Sequence, residues 1–237
     1  YIAAFQHYTR IVARQIGSVL EALYSTPAGK NTIVIVLADH GDGMGSHRMV
    51  TKQVSFYEEM TNVPFIIAGP GIHPRQKPVE DLLTQPTIDL LPTLCELAGI
   101  PVPSSKPGIS LAPFLKGEKQ KRQHPYAASE WHSEYEVTVS PGRMIRSPRY
   151  KYTHYLEGNG EELYDMLKDK GERRNLAHDP KYSKILAEHR ALLDDYIRRT
   201  QDDYRSLKVE ADKRWRSHAP GYPNHEGPCA RDIINRK

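Results

Sequence analysis

The strongest constraint on the fold is the run Thr32-Ile33-Val34-Ile35-Val36-Leu37. A strand with one face in water alternates apolar and polar residues. A continuous β-branched run suits a strand covered on both faces, as in a parallel sheet flanked by helices. A second run, Val63-Pro64-Phe65-Ile66-Ile67, repeats the pattern and is closed by Gly69-Pro70-Gly71. Helical patterns lie on either side. Residues 2 to 23 place Phe5, Tyr8, Val12, Ile16, Val19, Leu20 and Leu23 on one stripe. Residues 84 to 98 read as a helix started by Thr87 or Asp89, with Ile88, Leu91, Leu94, Cys95 and Leu97 as its apolar face and Gly99 as its stop. Pro92 sits early enough to be tolerated. This order predicts an α/β class: part of a mixed, largely parallel sheet flanked by helices.

The pattern changes after residue 100. Residues 100 to 123 are rich in Pro, Gly, Ser and Lys and read as a connection. Short strand candidates follow at Tyr126 to Glu130, Met144 to Arg146, Tyr150 to Tyr155 and Glu162 to Asp165. Ser147-Pro148-Arg149 and Glu157-Gly158-Asn159-Gly160 are the turn signals. Residues 180 to 206 read as a long helix with Ile185, Leu186, Leu192, Leu193, Tyr196 and Ile197 inward. The expected domains are 1–115 as the α/β part, 124–206 as a small antiparallel-sheet subdomain with a packed C-terminal helix, and 207–237 as an irregular tail.

Composition sets outer bounds. The 237 residues suffice to bury a core. No apolar run approaches the ~20 residues of a membrane span. The net charge of +4, with the two signs interspersed, does not point to nucleic acid. No basic stretch followed by an apolar run marks a signal peptide. The chain opens on Tyr1 inside a helical pattern, as a processed or truncated chain does. Two cysteines fix no redox compartment; Cys95 reads as core and Cys229 lies in the polar tail.

The chemistry concentrates where the first strand ends, in Asp39-His40-Gly41-Asp42-Gly43-Met44-Gly45-Ser46-His47, with Lys52 beyond. Ligands of open α/β sheets bind beyond the carboxyl ends of strands. Gly41 lets the chain turn at once, so the Asp39 oxygen and the His40 nitrogen can converge on a divalent metal of intermediate hardness. The same pair before Gly also fits a turn closed by an Asx hydrogen bond. Asp42 reads as a loop stabiliser. His47 fits a substrate contact or a loop cap. Lys52 alone reads as a solvated lysine; beside a metal it suits an anionic sulfuryl or phosphoryl group. Ala128-Ser129-Glu130-Trp131-His132-Ser133-Glu134 offers a flat ring at Trp131 and hydroxyl-bonding groups at His132 and Glu134, or an ordinary strand exit. The charge runs Lys116 to Arg122 and Lys168 to Arg174 read as solvated loops.

These segments together resemble the C-terminal portion of the sulfatase family, within the alkaline phosphatase superfamily. Asp39-His40-Gly41-Asp42 to Lys52-Gln53 resembles its second metal-binding segment. Phe56-Tyr57-Glu58-Glu59 with Val63-Pro64-Phe65-Ile66 resembles the strand that follows. Ile88-Asp89-Leu90-Leu91-Pro92-Thr93-Leu94, Leu97-Ala98-Gly99-Ile100-Pro101 and Gly108-Ile109-Ser110-Leu111 are similar to the family helix and its exit. Arg149-Tyr150-Lys151-Tyr152, Glu162-Leu163-Tyr164-Asp165 and Asn175-Leu176 resemble the small C-terminal sheet. The resemblance implies hydrolysis of sulfate esters, with Asp39 and His40 as metal ligands, Lys52 as the catalytic sulfate contact, and His47 and His132 beside the substrate. It implies calcium first, with magnesium, manganese or zinc as alternatives because His40 brings nitrogen to an ion that prefers oxygen. The implied partners are a sulfated small molecule or glycan and the N-terminal part of the same protein, with no nucleic acid and no membrane span. The implied compartment is secreted, periplasmic or lysosomal.

The family nucleophile is a formylglycine made in a C-x-P-x-R pattern, and neither cysteine stands in one. The chain is therefore expected to be inactive alone. A phosphodiesterase or phosphonate hydrolase of the same superfamily, or a non-catalytic chain that binds anionic glycans, remains the alternative.

Overall fold

The computed structural model describes residues 1–49, 55–80, 82–104, 107–120, 123–135, 137–156 and 160–207, with the backbone alone of 133–135 and 137–140. Lys52, Lys121, Arg122, Cys229 and nearly all of the expected tail lie outside the described residues. The chain forms two compact units: Tyr1–His40 with Val63–His124, and Gly41–Asn62 with the chain from Pro125 onward.

In the first unit, helix α1 (Ile2–Tyr24) ends where Thr26-Pro27 disfavours further helical backbone. Its stripe is only half covered. Phe5, Ile16, Leu20 and Leu23 are half-buried, whereas Tyr8, Val12 and Val19 are exposed. Strand β1 (Val34–Leu37) pairs antiparallel with β2 (Phe65–Ala68), Val34 opposite Ala68 and Leu37 opposite Phe65. A mixed sheet admits such a pair; parallel neighbours are not among the described strands. The β-branched run signals that a strand can be covered on both faces, and it carries no information on direction. Coverage is also partial here, with Leu37 and Ile66 exposed.

Helix α3 (Pro86–Ala98) follows α2 (Glu58–Thr61) of the second unit in the chain. It stops at Gly99, whose φ of 69° makes the left-handed cap expected of it. Its buried face is Asp89, Pro92, Thr93 and Cys95, while Leu91 and Leu94 are exposed. Thus the apolar stripe read from sequence is rotated: a polar staple displaces it. The fully buried Asp89 carboxylate accepts from Gln85 N–H (2.7 Å) and Ile109 N–H (2.8 Å) and meets His124 Nε2 at 2.7 Å. Thr93 Oγ1 accepts from Leu111 N–H at 2.9 Å. Gly108 is required beside this staple, since a Cβ there would lie 2.1 Å from the Ile88 carbonyl oxygen. Helix α4 (Ala112–Leu115) follows.

The second unit is a four-stranded antiparallel sheet in the order β3 (Ala127–Tyr135), β4 (Val137–Arg146), β5 (Tyr150–Tyr155) and β6 (Gly160–Asp165). Ser147 Oγ accepts from Tyr150 N–H and closes the predicted turn. Alternation along the strands divides the side chains between two covered faces. Ile145, Tyr152 and Leu163 meet Leu186 and Leu193 of α5 (Ser183–Thr200). On the other face Met144 and Tyr155 pack with Phe56, and Tyr164 packs with Met49, Tyr57 and Met60. The expected inward residues of α5 all lie in or against this core. The helix is shorter than its pattern because Gln201 turns left-handed at φ 55°.

Candidate active-site loop and buried ion cluster

Beyond β1 the chain reaches Asp39 and His40. Asp39 Oδ1 accepts from the His40 backbone N–H at 2.9 Å, and His40 Nε2 lies 3.5 Å from Asp39 Oδ2. The Asp39 side chain is 86% exposed and that of His40 is 41% exposed. A carboxylate oxygen and an imidazole nitrogen at this separation suit adjacent positions in the shell of one divalent ion, so the donor set fits the metal that the sequence implies.

In the second unit the loop from Gly41 is set by close backbone approach. Gly41 N–H donates to the Met60 carbonyl at 2.9 Å, and a Cβ at Gly41 would stand 1.8 Å from the Glu59 carbonyl oxygen. Only glycine fits there. Asp42 Oδ1 accepts from Met44 N–H at 3.0 Å, an Asx turn that makes it the loop stabiliser expected. The chain then coils left-handed: Met44, Gly45, His47 and Arg48 all have positive φ. Gly45 N–H to Met49 carbonyl (2.7 Å) and Met49 N–H to Ser46 carbonyl (2.8 Å) hold this coil. A non-glycine residue held left-handed costs on the order of 1–3 kcal/mol, and such residues cluster at functional sites.

His47 is fixed on three sides. Its ring stacks on Tyr57 with centroids 3.6 Å apart and planes 2° from parallel. It hydrogen-bonds the backbone of Gly171 and faces the Glu59 carboxylate. Burial lowers its pKa below the ordinary value, against the opposite pull of Glu59. An open cleft of about 600 Å³ lies over it, lined by Gly45, Ser46, Arg48, Glu59, Gly171 and Arg173.

Beneath that loop Lys151 is 1% exposed. Its ammonium lies 2.7 Å from Glu58 Oε1 and 2.9 Å from Glu172 Oε1, and it donates to the Phe56 carbonyl at 2.9 Å. Glu172 Oε2 also accepts from Glu58 N–H at 2.6 Å. Burial raises the Glu172 pKa, with Lys151 opposing. Burial acts on Glu58 in the same direction, but Lys151 and Arg146 outweigh it and hold that pKa down. Glu162, on the same face of the sheet, is pushed up to about 7 by burial and by the Glu172 charge.

The structure thus brings Asp39 beside His40 and places His47 in the strained coil. His132 lies exposed on edge strand β3, at the register irregularity between Trp131 and Ser133. That edge is three strands from β6, whose Tyr164 packs with Tyr57 beneath His47. Trp131 packs against the Phe56, Met144 and Tyr155 cluster. The run Lys168 to Arg174, read as wholly solvated, is corrected at one position: Glu172 is 2% exposed. Sequence reasoning missed the pairing of Lys151 with Glu58 and Glu172. A lysine at an inward position of a strand was the available signal, because a buried ammonium needs carboxylates near it.

The chain belongs to the sulfatase family: residues 45–199 match the family model described as N-sulphoglucosamine sulphohydrolase, C-terminal. It is 76% identical over 237 residues to the Delta 4,5-hexuronate-2-O-sulfatase of Bacteroides thetaiotaomicron, covering 100% of this chain and 49% of that protein. The solved structure of a 2-O GAG sulfatase superposes with a TM-score of 0.89 at 77% identity, over 98% of this chain and 50% of that one. A phosphonate monoester hydrolase from Silicibacter pomeroyi superposes with a TM-score of 0.69 at 29% identity, over 81% of this chain and 40% of that one. The chain therefore spans about half the length of these two sulfatases.

Proposed function

We propose that this chain is the C-terminal portion of an enzyme that hydrolyses a sulfate ester on the 2-position of a hexuronate in a sulfated glycan. The observation that carries this reading is identity at the 76% level across the whole chain to a Delta 4,5-hexuronate-2-O-sulfatase. Residues 1–115 contribute to its α/β domain and 124–206 form its small sheet subdomain.

Asp39 and His40 hold the divalent metal, with calcium first and magnesium, manganese or zinc as alternatives. When bound, that ion offsets the charge gathering on the sulfuryl oxygens. Lys52 supplies the second positive charge, and a fixed ammonium aimed at developing negative charge stabilises the transition state more than the ground state. His132, exposed on β3, donates to sugar hydroxyls, and His47 lines the cleft on the substrate side. The nucleophile belongs to no residue of this chain, since neither Cys95 nor Cys229 stands in a C-x-P-x-R pattern. The partner that completes the site is the N-terminal portion of the same protein.

The likeness to a phosphonate monoester hydrolase favours one second reading, transfer of a phosphonyl group at the same metal. The test is a substrate panel on the chain joined to its N-terminal portion: a 2-O-sulfated unsaturated hexuronate disaccharide, an aryl sulfate and a phosphonate monoester. The sulfatase reading expects the highest kcat/KM on the disaccharide. A preference for the phosphonate ester overturns it.

A further inference from the structure

We propose that His47, Glu59 and Glu172 form a divalent-metal site that uses neither Asp39 nor His40, with zinc as its ion. This inference goes beyond the reading above and stands without it.

One donor atom from each of the three side chains lies within 4.8 Å of both others. A tetrahedral zinc holds its ligand atoms about 3.3 Å apart, as its bond lengths near 2.0–2.1 Å require. Rotations that close each pair by about 1.5 Å therefore complete three sides of the shell. One imidazole and two carboxylates form a mixed nitrogen–oxygen set of the kind zinc accepts.

Two further features point to a ligand. The His47 ring is hydrogen-bonded to the Gly171 backbone. A metal-bound histidine characteristically uses one ring nitrogen on the ion and the other on a backbone carbonyl or carboxylate, which fixes tautomer and orientation. Stacking on Tyr57 prevents the ring from turning away. In addition, Lys151 is shared by Glu58 and Glu172 and pairs with no third carboxylate among the described residues. Glu59, half-buried beside His47, forms no ion pair with a described residue. A cation at the centre of the three donors supplies that missing charge.

Access and geometry agree. His47 and Glu59 line the open cleft, so the fourth position of the ion faces solvent. His47 at φ 48° and Glu172 at φ 49° are both held left-handed, each in a separate loop. The ammonium of Lys151, 2.9 Å from Glu172 Oε1, opposes a cation there. Glu172 consequently binds less strongly than a free carboxylate, and affinity depends most on His47 and Glu59.

The experiment is calorimetric titration of zinc chloride into the chelator-treated chain carrying Asp39→Asn and His40→Gln, which removes the other metal pair. The expected result is one zinc per chain, with binding weakened at least about tenfold by adding Glu59→Gln. His47→Gln should weaken it further. Since His47→Gln also removes the stack on Tyr57, Glu59→Gln, with its circular dichroism unchanged, is the decisive variant. Absence of zinc binding in the Asp39→Asn, His40→Gln chain overturns the proposal. So does zinc binding that Glu59→Gln leaves unaltered, which would assign the ion to other ligands.

Discussion

At the scale of single residues, the account rests on groups whose burial changes their chemistry. Glu162 has a folded pKa near 7 against an ordinary 4.5. For a carboxyl raised in this way, the contribution to stability is complete below the unfolded pKa and is lost as pH rises through the folded value. The chain should therefore lose on the order of 3 kcal/mol between about pH 4.5 and pH 7 from this group alone. Glu162→Gln should remove that slope, and urea unfolding of both forms at pH 5 and pH 8 checks it. An equal slope in the variant would reject the assignment. Lys151→Met is the complementary case. It leaves Glu58 and Glu172 without their common ammonium, and breaking a buried pair costs roughly 3–5 kcal/mol. Gly41→Ala should cost about 1–3 kcal/mol of overpacking against the Glu59 carbonyl, read as a lower denaturant midpoint at constant slope.

Among elements, the sheet and its helix were the most legible. The Ser147-Pro148-Arg149 turn and the inward set of α5 were readable from residue type and periodicity, whereas β3 and β4 run beyond the short segments read for them and the turn read at 157–160 lies mostly outside the described residues. Leu193 is fully buried in that core, and Leu193→Ala should cost about 2–5 kcal/mol in thermal unfolding. The first unit was less legible. The β-branched run of β1 announced a strand, but its antiparallel pairing with β2 is a matter of connection, which no local pattern encodes. The face of α3 was misread because Asp89 and Thr93 are buried as hydrogen-bonding staples, and a search for apolar periodicity passes over polar residues. The loop after β1 was half legible. Its glycines and its Asx turn follow from residue type. The stack of His47 on Tyr57 and the burial of Glu172 depend on segments far apart in sequence. Lys52 lies outside the described residues, so its place in the site rests on the resemblance of the segment from Asp39 to Gln53 to the family's second metal-binding segment.

For the molecule as a whole, the central claim is that a metal pair at Asp39 and His40 and a cation at Lys52 serve sulfate-ester hydrolysis once the N-terminal portion is present. Family membership supports the reaction class; the identity to a 2-O-sulfatase supports the substrate. The most direct measurement is the rate of sulfate release from a 2-O-sulfated unsaturated hexuronate disaccharide by the completed protein, compared with its Asp39→Asn and Lys52→Ala variants. The account predicts turnover by the parent and losses of roughly 10²–10³ in kcat for each variant, as for removal of a group that stabilises transition-state charge. Undiminished turnover by both variants would contradict it.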